Sequence, residues 1–161
     1  MLGIVHGMLI ENVIDPVQVA VLPDTPIPEV LKRLLDVQHD SGAVVDESNR
    51  FLGVIGVRDT LRKIVPSHLY DNPNLSNVVH EGYFEERFEG LSRFVAKDLM
   101  DPDVVTVRPD DTAIRAIALI VENKRKTIPV LDANRYLLGM VTRQSLIRTV
   151  MKAHASQRKE T

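Results

Sequence analysis

The apolar positions of this chain switch between strand-like and helical spacing in a fixed order, and that order occurs twice. Val19-Ala20-Val21 reads as a short strand, and Val30, Leu31, Leu34 and Leu35 follow at the spacing of one buried helix face. Gly42-Ala43-Val44-Val45 and Phe51 to Ile55 are strand runs on either side of the turn residues Asp46-Glu47-Ser48-Asn49. Leu61, Ile64 and Val65 mark a closing helix. The succession returns as Val105-Thr106-Val107, then Ala116, Ile117, Ile120 and Val121, then Ile128 to Leu131. It ends with the turn Asp132 to Arg135, the run Leu137 to Val141, and a helix carrying Leu146, Ile147, Val150 and Met151. The pattern predicts β-α-β-β-α twice, a mixed α/β (α+β) fold.

The repetition extends to residue identity. Shifting residues 8–64 by 86 positions lays them on 94–150 without a gap. Asp15-Pro16 meets Asp101-Pro102, Val19, Val21, Pro23 and Asp24 meet Val105, Val107, Pro109 and Asp110, and Leu52-Gly53 meets Leu138-Gly139. A fixed-period repeat signals one supersecondary unit stacked on its copy. Two copies imply a pair related by a pseudo-two-fold axis, with symmetric clefts where they meet. The chain then divides into repeat 8–64, insert 65–93, repeat 94–150 and a polar tail 151–161, which is expected to fray. Pro23-Asp24-Thr25-Pro26 and Pro109-Asp110-Asp111-Thr112 read as helix starts whose Asp and Thr side chains accept from free backbone N–H groups.

The insert has no counterpart. After the turn residues Pro66, Asp71, Asn72, Pro73 and Asn74 it carries Val78-Val79, and residues 70–94 hold Tyr70, Tyr83, Phe84, Phe88 and Phe94, five of the seven aromatics. A solvated linker lacks such residues. Two readings stand: a lid or short helix packed on its own domain, or a contact with a second chain, since aromatics are enriched in interface cores.

Composition narrows the function. The 161 residues carry a net charge of −2, which argues against nucleic acid as the main partner. There is no cysteine, so disulfides, thiolate metal sites and cysteine nucleophiles are excluded. His6, His39, His68, His80 and His154 have no metal-ligand spacing. No segment is apolar for long enough to span a bilayer, and a cytoplasmic protein is the expectation. No constellation activates water or a nucleophile, so an enzyme is not expected and no catalytic residue is assigned.

The repeat, with its Asp-Pro start, its Ile128-Pro129-Val130 strand and its Gly139-Met140-Val141-Thr142 strand end, resembles the cystathionine-β-synthase (CBS) domain. Two in tandem resemble a CBS pair, or Bateman module. The resemblance implies clefts for an adenosine-containing ligand (AMP, ADP, ATP or S-adenosylmethionine), a homodimer, and an effector protein that receives the signal. The family motif runs Gly, two apolar residues, Thr or Ser, two variable residues, Asp. The Asp accepts from ribose hydroxyls and the Thr meets phosphate at a helix N-terminus, where free N–H groups favour anions.

Here the motif is split. Gly53-Val54-Ile55-Gly56-Val57-Arg58-Asp59 keeps the Asp without the Thr, and Gly139-Met140-Val141-Thr142-Arg143-Gln144-Ser145 keeps the Thr without the Asp. On the family pattern one cleft joins Asp59 and Arg58 to Thr106, Lys126, Thr127, Ile128 and Pro129. The other joins Thr142 and Ser145 to Ala20, Ser41, Gly42 and Ala43. The first is the expected ligand site, with Thr142 the remaining ligand-binding candidate. Asp59, Thr142 and Ser145 read equally as helix caps. Lys124-Arg125-Lys126 reads also as a complement to a helix dipole. Two functions remain: a ligand-sensing regulatory module, or an assembly module that acts without ligand through dimerisation and the aromatic segment.

Overall fold

The computed structural model describes residues 7–72, 74, 80–123 and 125–160. In chain order its elements are β1 (Ala20–Val21), α1 (Ile27–Asp36), β2 (Ser41–Val45), β3 (Phe51–Gly56), α2 (Val57–Ile64), α3 (His68–Asp71), α4 (Tyr83–Glu89), α5 (Ala96–Leu99), α6 (Ala113–Asn123), β4 (Thr127–Leu131), β5 (Leu137–Thr142) and α7 (Arg143–Lys159). They form two compact units. One comprises Gln18–Glu47 and Leu52–Pro102; the other comprises Met1–Val17, Ser48–Phe51 and Asp103–Thr161. By sequence the former holds 14 acidic and 8 basic residues, net −6, and the latter 8 and 12, net +4. They are called the acidic and basic units below. His6, Pro73, Val78-Val79 and Lys124 lie outside the described residues.

Each unit takes its lead segment from the other sequence copy. In the acidic unit the backbone of Val54 exchanges two hydrogen bonds with Asp101, at 3.0 and 2.8 Å. In the basic unit Met140 does the same with Asp15, at 2.9 Å both ways. Ala96 N donates to Thr25 O as Ile10 N donates to Asp111 O, and Lys97 N to Pro23 O as Glu11 N to Pro109 O. All are 86 positions apart. This close approach explains the repeated Leu-Gly. A Cβ at Gly53 would lie 2.7 Å from Asp101 O, and one at Gly139 would lie 2.6 Å from Asp15 O. No side chain fits there without moving backbone.

The acidic unit contains a sheet in the order β1-β2-β3, with β1 parallel to β2 (Ala20 opposite Ala43). Its core joins Val19, Val21, Ile27, Val30, Leu34, Val44, Ile55 and Ile64 to Leu91, Ala96 and Leu99. In the basic unit β4 and β5 are antiparallel. The expected strand 105–107 reduces to a parallel bridge of Val107 to Val130. Val107 N donates to Pro129 O and Leu131 N to Val107 O, and no further pairing lengthens the strand. The core there is Ile10, Val13, Val107, Ala113, Ala116, Ile120, Ile128, Val130, Val141 and Leu146.

The helix faces are narrower than the sequence suggests. Leu35 and Val121 were expected inside; they are 71% and 73% exposed. A helix resting on one side of a small sheet buries one stripe, here Ile27-Val30-Leu34 and Ala113-Ala116-Ile120, and the next residue falls about 100° away. Leu61, Ile147 and Met151 are exposed for the same reason, while Thr60, Ile64, Ser145 and Leu146 face inward. Helix starts also differ. Pro26 sits at the N-cap of α1 with no side-chain cap, and Asp24 instead pairs with Lys97 at 2.8 Å. In the second copy Thr112 Oγ1 does accept from Arg115 N, at 3.4 Å. The tail expected to fray is helical through Lys159. Its Lys, Ala, Gln and Arg are helix formers, and no Gly or Pro interrupts them.

The insert is built onto the acidic unit. Leu91 is buried in its core and Phe94 packs against that core. The Tyr70 hydroxyl donates to Arg62 O, and Arg87 donates to Lys63 O at 3.0 Å. Both carbonyls belong to the last turn of α2, where no helical N–H remains to satisfy them. Phe84 and Phe88 are left outside, stacked at 6.3 Å and 55% and 47% exposed.

Candidate functional site

The candidate residues cluster where a strand runs directly into a helix, once in each unit. In the acidic unit β3 passes into α2 at Gly56, whose backbone is extended (φ −140°, ψ 168°). The free N–H of Gly56 donates to Asp59 Oδ2 at 2.8 Å. Asp59 is therefore a cap, acting from the third helical position rather than from the N-cap itself. That bond uses one oxygen, and a carboxylate has a second. Asp59 is half-buried and Arg58 exposed. A Cβ at Gly56 would stand 3.0 Å from Asp40 O, which accepts from Val57 N at 2.9 Å; at the equivalent Thr142 the bond from Arg143 N to Lys126 O is longer, 3.3 Å.

An open pocket of about 300 Å³ lies beside this turn, lined by Asp59, Arg62, Lys63, Tyr70, Asp98 and Leu99. Its two carboxylates and two cations share the lining with the apolar Leu99 and the Tyr70 ring. Arg62 lies over the Tyr70 ring, 5.6 Å from its centroid, and Lys63 over Phe94 at 5.2 Å. Asp98 Oδ2 accepts from Val95 N at 2.9 Å, the same third-position cap that Asp59 makes.

In the basic unit β5 passes into α7 at Thr142. Thr142 Oγ1 accepts from Ser145 N, and Thr142 N donates to Ser145 Oγ, both at 2.9 Å. Ser145 Oγ donates in turn to Thr142 O at 3.0 Å. Ser145 is 1% exposed, so its hydroxyl is spent inside the turn. Thr142 is half-buried at the N-terminus of a helix of 17 residues.

The basic unit brings several candidates together. Thr127 is the direct β-partner of Thr142, Ile128 of Val141 and Pro129 of Met140. Lys126, exposed, offers its backbone O to Arg143 N at 3.3 Å, which sets it beside the first turn of α7. Thr106 is half-buried and precedes Val107, whose N–H donates to Pro129 O at 3.0 Å. Lys126, Thr127 and Thr142 thus gather at one end of the β4-β5 ladder, where the dipole of α7 favours an anion; Thr106 lies further along, beside Pro129. Ile128 and Pro129 are buried, and Ile128 spends its side chain in the core. Arg58 and Asp59 belong to the acidic unit.

Sequence reasoning missed Asp40. It is the repeat counterpart of Lys126, and each offers its backbone oxygen to the first N–H of the closing helix. The 86-residue shift would have paired them, an acid in one copy against a base in the other. Of the pocket residues beside Asp59, only Tyr70 stands out in the sequence, as an insert aromatic; Arg62, Lys63 and Asp98 lie within the repeats, and nothing local shows that Tyr70 packs beside them.

Comparison with known proteins agrees with this duplicated geometry. The family model described as "CBS domain" matches residues 10–66 and 96–152. The uncharacterized protein MJ1426 of Methanocaldococcus jannaschii is 29% identical over 157 residues, covering 89% of this chain and 92% of its own length. The chloroplastic CBS domain-containing protein CBSX2 of Arabidopsis thaliana is 26% identical over 140 residues, covering 82% of this chain and 58% of that one. A crystal structure of CBSX2 in complex with AMP superposes with a TM-score of 0.71 at 23% identity, over 92% of this chain and 99% of that chain. The CBS domain pair of protein MJ0100, in complex with 5-methylthioadenosine and S-adenosyl-L-methionine, superposes with a TM-score of 0.65 at 16% identity, over 91% and 98%. Among the described residues no helix is long and apolar enough to cross a membrane.

Proposed function

The chain belongs to the CBS domain family, as a tandem pair, and on that premise we propose that it is a regulatory, non-catalytic module that binds an adenosine-containing ligand and signals to a partner protein. The ligand class is AMP, ADP, ATP or S-adenosylmethionine, and the working form is a homodimer. The observation that carries this reading is the complementary chemistry of the two strand-to-helix turns. Asp59 keeps a carboxylate oxygen for ribose hydroxyls, while Thr142 and Lys126 stand at a helix N-terminus suited to phosphate. Arg58 adds a cation to the acidic turn, and Thr106 and Thr127, both half-buried, add hydroxyls in the basic unit beside the buried Ile128 and Pro129. Binding transmits a signal only if the ligand favours one arrangement of the chain over another.

Thermal unfolding with AMP, ADP, ATP, S-adenosylmethionine and GTP tests the proposal. A ligand at 100 times its dissociation constant adds about 2.7 kcal/mol, which in a chain of this size raises the midpoint by about 5–10 °C. A shift with one adenosyl ligand and none with GTP is expected. A flat panel overturns the sensor and leaves the assembly module, a reading that the exposed Phe84–Phe88 pair favours.

A further inference from the structure

One helix in each unit carries that unit's sign of charge and exposes an apolar ridge. Helix α4 carries Glu85, Glu86 and Glu89 around Phe84 and Phe88, which stack one turn apart and stand 55% and 47% exposed. Its one cation, Arg87, is turned back onto the acidic unit, donating to Lys63 O and lying 5.9 Å from the Tyr83 ring centroid. Glu86 is paired with His80 at 3.3 Å. Helix α7 is the reverse. Its 17 residues include Arg143, Arg148, Lys152, Arg158 and Lys159 and no acid, and it exposes Ile147 and Met151, one turn apart, at 61% and 66%. Arg148 is paired with Asp15 at 3.3 Å.

We infer that α4 of one copy docks on α7 of a second copy, Phe84 and Phe88 packing on Ile147 and Met151 while Glu85 and Glu89 face Lys152 and Arg158. This rests on the homodimer reading and adds its orientation. A two-fold axis repeats the contact twice, which sets the acidic unit of each copy on the basic unit of the other. The reverse orientation would set α4 on α4 and α7 on α7, like charge on like charge, which opposes association. The ridges suit one another. Each is a pair four residues apart, and a flexible thioether adapts to aromatic faces.

The test is a charge exchange read by sedimentation equilibrium at low salt, with circular dichroism confirming that each chain is folded. Glu85→Lys/Glu89→Lys alone and Lys152→Glu/Arg158→Glu alone should each weaken self-association by about tenfold or more, because both contacts in the dimer become repulsive. An equimolar mixture should recover a mixed dimer with wild-type affinity, since each contact again pairs opposite charges. Self-association of either variant at wild-type strength, or a mixture no tighter than its parts, overturns the contact while leaving the homodimer. A wild-type chain that stays monomeric overturns contact and homodimer together and leaves ligand binding to the thermal panel.

Discussion

At the turn from β3 into α2 the cap is a carboxylate reaching back from the third helical position; at the turn from β5 into α7 it is a reciprocal pair of hydroxyls. The residues change together. Gly56 has no side chain to offer, so Asp59 serves the turn alone, whereas Thr142 and Ser145 serve each other. The neighbour differs too: Asp40 O crowds the place a side chain at 56 would take, and Lys126 stands at the equivalent place beside Thr142. A motif that looks broken twice is therefore two satisfied helix starts with unequal chemistry left over. The acidic turn retains a carboxylate oxygen. The basic turn retains an anion-favouring helix end. The difference lies in what each turn can offer a ligand, since both satisfy their backbone.

The largest effect probes what the two units share. Gly139→Ala should destabilise by about 3 kcal/mol, because the new Cβ would meet Asp15 O at 2.6 Å and only backbone can yield. Gly53→Ala should cost about as much through Asp101 O at 2.7 Å. Denaturant midpoints measure both. A loss of under about 0.5 kcal/mol in either, the size of an ordinary surface substitution, would mean that lead segment is not held as described.

The next prediction separates the turns. Asp59→Ala should lower affinity for an adenosyl ligand by at least about tenfold, the loss of charge-assisted bonds to ribose amounting to about 1.5–3 kcal/mol. Ser145→Ala should leave affinity unchanged and cost about 1–2 kcal/mol of stability, since a buried hydroxyl that bonds the turn in both directions is removed. Calorimetric titration and thermal melts read the two effects independently. Equal affinities for wild type and Asp59→Ala would remove Asp59 from the ligand site.

How much of this was legible in the sequence depends on whether a feature repeats. Helices α1 and α6, the two hairpins and the Leu-Gly strands could be read because each is stated twice with the same periodicity. Burial was read less well, because Leu35 and Leu34 look alike in a list of apolar residues and differ only by their angle around α1. The missing strand at 105–107 depends on partners beyond Val107, which local alternation does not report. The exchange of lead segments is a long-range pairing, which Asp-Pro, read only as the start of its own repeat, does not report. The caps were half legible: Asp59, Thr142 and Ser145 were recognisable as turn residues, but the partner of each depended on what stands at the strand end, Gly56 with no side chain or Thr142 with a hydroxyl.

The smallest effect belongs to the hairpin tips, where both copies place one residue in the left-handed region and fill it differently. Asn49 has φ 68° and Arg135 φ 67°, at equivalent positions of the repeat. Asparagine tolerates that conformation, and Asn49 also donates from Nδ2 to Leu137 O at 3.0 Å. Arginine has no such local bond to offset the strain. The turn around Arg135 is held instead by Asp132, whose Oδ1 accepts from Asn134 N at 2.8 Å and from Tyr136 N at 3.0 Å. Arg135→Asn should therefore relieve strain and stabilise by about 0.5 kcal/mol, a rise of about 1–2 °C in the unfolding midpoint. Asn49→Arg should cost more than that gain, because it adds the strain and removes the bond to Leu137, about 1–2 kcal/mol together. Melts of the two single variants decide the point. Equal and opposite shifts would mean that backbone strain alone separates the tips, and a destabilised Arg135→Asn would mean that the arginine side chain supports its turn.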